Sequence, residues 1–217
     1  MANEPETPPF PFAPLNTAPL RALNLAPGAG QYTITGIPAV LQVHPSMPSL
    51  TTTSLIIPAG NTSSGILVGS TQALWRSIAN TLRGDWSIAY QIPPDRWEEI
   101  VAGAFKNDGY DEVILTPRSG DHGRDVIAIK HGVGCIKILG SVKAYAPGHN
   151  VSYDAVRALM GVIASERDTS KGIITTTSNF PPLIENDPLI APLLPTRLEL
   201  INGEKLQRWL GDLSGGS

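Results

Sequence analysis

Residues 119–145 read SGDHGRDVIAIKHGVGCIKILGSVKAY, and how this stretch pairs with itself decides the fold. Two apolar runs that alternate with polar residues flank His131-Gly132-Val133-Gly134, where glycine permits the positive φ of a tight reversal. The alternation predicts strands at 124–130 and 134–144, joined as a hairpin. Asp125 opens the first run and Lys143 stands near the end of the second, so the hairpin would bring a carboxylate and an ammonium to one end. That pair is the least equipment with which a chain could hold a hard divalent cation and neutralise charge gathering on a phosphodiester. Plainer roles compete. Asp125 could cap the turn made by Gly120 and Gly123, and Lys143 could be a solvated strand lysine. These residues alone leave both readings open.

Outward from the hairpin, periodicity sets the neighbouring elements. Leu74, Trp75, Ile78 and Leu82 recur at helical spacing, which predicts a helix from Thr71 to about Leu82 ended by Gly84. A second helix follows Pro93 and Pro94, a favoured helix start, with Trp97, Ile100, Val101, Ala104 and Phe105 on one face. Asp95, Glu98 and Glu99 lie in its first turns, where the helix dipole favours negative charge, and Asn107-Asp108-Gly109 stops it. A strand at 111–116 precedes the hairpin. After it come a helix at 152–165 with Val156, Leu159, Met160 and Ile163 as its apolar stripe, and a buried strand at 171–176. A proline-broken loop at 180–195, a strand at 197–201 and a helix at 203–212 complete the order. Strands interleaved with helices predict an α/β fold, a mixed sheet flanked by helices.

Residues 97–210 resemble, in order and spacing, the Mrr family of restriction endonucleases, a branch of the PD-(D/E)xK nuclease superfamily. The stretch WEEIVAGAFKNDGYDEVILTPRSGDHGRDV is similar to that family's opening: aromatic-Glu-Glu on a helix, Gly-Tyr, a strand, then Gly-Asp-x-Gly-x-Asp. SVKAYA resembles its lysine strand, KGIITTTSNF its Thr/Ser-rich fourth strand, and RLELINGEKLQRWL its closing strand and helix. The resemblance implies a restriction-endonuclease-like sheet, a Mg²⁺-dependent (or Mn²⁺-dependent) DNA endonuclease, and a role in restriction or defence against foreign DNA. Ser141 departs from the pattern, standing where the family has Glu or Gln two places before the lysine. A hydroxyl is a weaker ligand for a hard cation than a carboxylate or amide oxygen. A second class of function therefore stays open: a DNA-binding or assembly module that keeps the fold and does not cut.

The resemblance also assigns roles. Asp125 is the expected metal ligand, and Lys143 the residue that orients the attacking water or neutralises the developing charge. Glu98 corresponds to the helix glutamate that points at the metal; by spacing it shares a face with Val101 and Phe105, and a solvated first-turn glutamate is the alternative. Asp121 corresponds to the first acid of Gly-Asp-x-Gly-x-Asp, with capping of the glycine turn as the alternative. Ser141 could reach a metal through a water. Arg124 and Lys130, with Arg118 and Lys137, are candidates for a local phosphate patch, although alternation sends some to opposite faces. Thr176, Thr177 and Ser178 offer hydroxyls to phosphate or base, and threonine is also simply a good strand former. Tyr145 reads as packing, and His122 and His149 as loop histidines.

Bulk properties bound the rest. The chain has 217 residues, 41% hydrophobic and 16% charged, with a net charge of −3. No global basic field draws in nucleic acid, so any DNA contact must be local. Cys135 stands alone, and its neighbours Val133 and Ile136 suggest a buried strand residue. A start without a basic leader or a long apolar stretch points to a soluble, cytoplasmic protein with no membrane partner. Between Arg21 and Arg76 there is no Asp, Glu, Lys or Arg, yet the segment holds the β-prone pieces QYTITGI, AVLQVH and TTTSLIIP. We read 1–20 as a mobile Pro-rich arm, 21–70 as an uncharged Pro/Thr-rich, β-prone extension, and 71–213 as the nuclease-like domain. The extension is expected to cover the core or to join two subunits as a homodimer.

Overall fold

The computed structural model describes residues 53–117 and 123–215. The expected arm, the first two β-prone pieces, and Arg118, Asp121 and His122 lie outside the described residues.

Seven strands form one sheet in the order of the chain. They are β1 (Ile56–Thr62), β2 (Gly65–Thr71), β3 (Glu112–Leu115), β4 (Val126–Lys130), β5 (Ile136–Lys143), β6 (Lys171–Thr176) and β7 (Leu198–Ile201). From β1 to β5 each pairing is antiparallel, whereas β5–β6 and β6–β7 are parallel. The helices are α1 (Ala73–Gly84), α2 (Pro94–Asn107), α3 (Tyr153–Ser165) and α4 (Gly203–Gly215), with a 3₁₀ turn at Trp86–Gln91. This is the mixed sheet flanked by helices that the sequence predicts.

The register divides the core between two faces. Val126 pairs with Gly140 and Ile127 with Leu139, and successive side chains of a strand point to opposite sides. One face carries Val113, Val126, Ala128, Ile138 and Ile173, covered by Trp75, Ile78 and Leu82 of α1, Trp97, Val101 and Phe105 of α2, and Leu206 and Leu210 of α4. The other carries Ile114, Ile127, Leu139 and Ile174, covered by Val156, Leu159 and Ile163 of α3 and by Ile184 and Ile190 of the loop before β7. The indoles of α1 and α2 are tied down within their layer. Trp75 Nε1 donates to Ile100 O at 2.9 Å and Trp97 Nε1 to Ala89 O at 3.0 Å. A Cβ at Gly103 would stand 2.4 Å from Trp75 Nε1, so only glycine lets α2 approach α1 this closely.

Two expectations change. The β4–β5 reversal is longer than the alternation predicts: β4 ends at Lys130 and β5 starts at Ile136, with Gly132 and Gly134 both at positive φ. Cys135 therefore sits in the turn and is exposed, not buried in a strand, and Val133 projects fully into solvent. Secondly, the sheet begins inside the segment read as an extension. The hairpin β1–β2 pairs with β3 through Ile66–Leu115 and Leu67–Ile114, and Leu55, Ile56 and Val68 are buried in the core. A division at residue 71 would cut through this sheet.

Candidate active site

Asp125 lies at the entrance to β4, where the ladder becomes irregular. Its amide donates to Gly140 O at 2.8 Å and its carbonyl accepts from Thr116 N at 3.0 Å. Its side chain reaches across to β5, where Oδ2 accepts from the Val142 amide at 2.5 Å. The carboxylate is thus held between Ser141 and Lys143 by the strand that carries both. By alternation Ser141 and Lys143 share the face of Leu139. Asp125 is 9% exposed and Ser141 2%. The structure brings Asp125, Ser141 and the Lys143 strand end together. Glu98 is half-buried in the first turns of α2, the helix that packs on the Val126 face.

The hydroxyl run after β6 does something other than expected. Thr176 and Thr177 are buried, and their side chains stitch β6 to the end of β5. Thr176 Oγ1 donates to Lys143 O at 2.8 Å and accepts from Ser178 N at 3.2 Å. Thr177 Oγ1 donates to Tyr145 O at 2.7 Å and accepts from Tyr145 N at 2.8 Å. These groups fix the backbone that presents Lys143; with their hydrogen bonds used inside the protein, they are not placed to bind phosphate directly. Ser178 Oγ is buried with no hydrogen-bond partner among the described residues. Tyr145 packs against the α3-side core, as its sequence position suggested.

The basic residues also separate. Lys130 sits five residues beyond Asp125, about 17 Å along an antiparallel strand, with its ammonium 5.8 Å from the centre of the Tyr110 ring. It belongs to the opposite end of β4 and cannot share a patch with Lys143. Arg124 forms an ion pair with Glu166 just beyond α3, and Glu166 also takes Lys137 at 3.0 Å. Lys137 then reaches Asp168 at 2.9 Å. The hydrogen bond from Lys137 holds the Asp168 carboxyl below its ordinary value, against the opposing effect of burial. His149 is exposed in the loop after β5. A cleft of about 430 Å³ between α2 and α4 is floored by Ile138 and Ile173, on the other face and at the other end of β5, so it is no part of this site.

Oxygen chemistry at the Asp125 end suits a small hard cation. Mg²⁺ is commonly held by one or two carboxylates, with waters and substrate phosphates completing its shell. Among the described residues, which leave out Asp121, no group of three His, Cys, Asp or Glu side chains gathers. A metal filled out by water and phosphate fits what is present.

The family model described as restriction endonuclease, the Mrr catalytic domain, matches residues 89–210, over half of the chain. Among solved structures, the MspJI restriction endonuclease in complex with a 27-mer oligonucleotide aligns at 20% identity and a TM-score of 0.39, covering 63% of this chain and 30% of that one. The DNA modification-dependent restriction endonuclease AspBHI aligns at 15% identity and a TM-score of 0.42, covering 66% and 36%. The chain thus spans about a third of the length of each. No curated protein matches it significantly. Among the described residues no helix is long and apolar enough to cross a membrane.

Proposed function

We propose that this chain, which belongs to the Mrr-type restriction endonuclease family, is a divalent-metal-dependent DNA endonuclease whose site is the Asp125–Ser141–Lys143 end of the sheet. The observation that carries the reading is the Asp125 carboxylate bonded to the Val142 amide, between the serine and lysine of β5. Asp125 would hold the cation, with Glu98 and Asp121 as further oxygen donors. Mg²⁺ or Mn²⁺, when bound, supplies Lewis acidity to the phosphate and lowers the pKa of a bound water. Lys143 would steady the attacking water and counter charge that grows on the phosphate in the transition state. Thr176 and Thr177 act at one remove, by holding the Lys143 and Tyr145 backbone. Cutting both strands calls for two such sites, which a homodimer acting on foreign DNA in the cytoplasm would supply.

Ser141 favours a second reading, the module that binds DNA without cutting. Metal binding separates the two. Under the endonuclease reading, Mn²⁺ titrated into the protein with duplex DNA binds at a site that Asp125→Asn removes, and Ser141→Glu tightens it. Mn²⁺ binding that is absent, or indifferent to Asp125→Asn, would favour the module.

A further inference from the structure

We propose that Leu183 is a wedge that enters the base stack of duplex DNA bound at the Lys143 end of the sheet; this rests on the nuclease reading above. Leu183 has φ 64°, the one positive φ outside glycine among the described residues, and its side chain is 73% exposed. A branched side chain is sterically disfavoured in this left-handed conformation, which glycine or asparagine adopts readily. Exposure means that core packing returns nothing for that strain. Strained backbone of this kind persists where its surroundings over-determine it, and it concentrates at functional sites.

The surroundings of Leu183 do over-determine it. Pro181 and Pro182 precede it, and the Tyr153 hydroxyl donates to Pro182 O at 3.5 Å. The Asn186 amide donates to Leu183 O at 2.8 Å, and the Ile184 amide to Pro181 O at 3.3 Å. Before Leu183, Phe180 packs against the α3-side core, and after it Ile184 and Ile190 are buried in that core, so the loop is nailed down on both sides of its exposed residue. Asp187 adds a hydrogen bond from the Leu189 amide at 2.9 Å and an ion pair with Arg157 at 3.3 Å. A leucine held out on a braced loop resists being pushed aside.

Its place in the sheet gives the leucine an occupant to meet. Because β6 runs parallel to β5 with Thr176 opposite Lys143, the chain leaves β6 on the Lys143 end. The Thr177 amide donates to Lys143 O at 3.3 Å, and Leu183 follows six residues later. Leu183 lines a cleft of about 470 Å³ with Asn179, Asn202, Lys205 and Glu185, so two amides and an ammonium stand there beside one carboxylate. Apolar side chains, leucine among them, inserted between base steps unstack and bend a duplex, in proteins that also present lysine or asparagine to the groove.

Leu183→Asn tests the wedge without endangering the fold, since asparagine tolerates the left-handed backbone. The probe is a set of duplexes with 2-aminopurine at successive positions, unmethylated and cytosine-methylated, bound in calcium buffer. Wild type and Leu183→Met should raise 2-aminopurine fluorescence at one step. Leu183→Asn should abolish that rise and lower kcat/KM in magnesium by about tenfold or more, with an unchanged or higher melting temperature. Cleavage by wild type with no fluorescence rise at any position, or an equal rise with Leu183→Asn, overturns the wedge and leaves the nuclease reading standing. Absence of DNA binding by wild type overturns both.

Discussion

At the scale of single residues, the arrangement turns on hydrogen bonds that hold backbone rather than substrate. Thr177 both donates to and accepts from the Tyr145 main chain, two residues past Lys143. Thr177→Val keeps the shape and strips both bonds. It should cost about 1–3 kcal/mol of stability by denaturant unfolding, since buried polar groups are left unpaired. DNA affinity should keep its salt dependence in that variant, because no phosphate contact is lost; a reduced salt slope with unchanged stability would return Thr177 to the DNA. The sequence shows a run of hydroxyls but not which strand they face. The same limit hid the partner of Arg124. Glu166 lies 42 residues away and meets it only because α3 folds back beside β4. That Asp125 meets the strand carrying Lys143 was legible because a short hairpin register fixes it, with no distant chain involved. Asp168 adds a small pH effect. Its lowered pKa gives stability that is present above the ordinary carboxylate value and lost as pH falls through the lowered one.

At the scale of elements, local periodicity carried far. Strand β6 was legible to its ends, and the helices to within a few residues, because each buries a face that recurs at its own period. What the pattern left out was how the layers touch. Gly103 reads in the sequence as an unremarkable helical glycine, yet α2 meets Trp75 of α1 there. Gly103→Val should destabilise the protein by about 1–3 kcal/mol through overpacking, read as a fall in melting temperature. An unchanged melt would mean that the α1–α2 contact is looser than described. The β-prone character of the β1–β2 segment was legible, but not its pairing with β3, which makes it part of the sheet instead of a separate extension.

At the scale of the whole molecule, that hairpin closes one side of the sheet. Glu99 of α2 accepts from the Leu55 amide at 2.6 Å and from Ser54 Oγ at 3.1 Å, tying the approach to β1 onto the helix layer. A chain starting at Thr71 should therefore be unstable or aggregate, while one starting at Thr53 should fold. Sedimentation of both beside the full chain shows whether the residues before Thr53 support a dimer. With a net charge of −3 and Lys130 at the far end of β4, few phosphates should be neutralised. Affinity should fall with salt along a shallow slope, at about −0.9 per phosphate contacted, and Lys130→Ala should leave it unchanged. The most direct measurement is single-turnover cleavage of duplex DNA in Mg²⁺ or Mn²⁺, with affinity measured alongside, for wild type, Asp125→Ala and Lys143→Ala. Wild type should cut, both variants should lose at least about a hundredfold in rate, and Lys143→Ala should bind almost as well as wild type. Cleavage that survives both substitutions, or a Lys143→Ala loss that is all affinity and no rate, would contradict the nuclease reading.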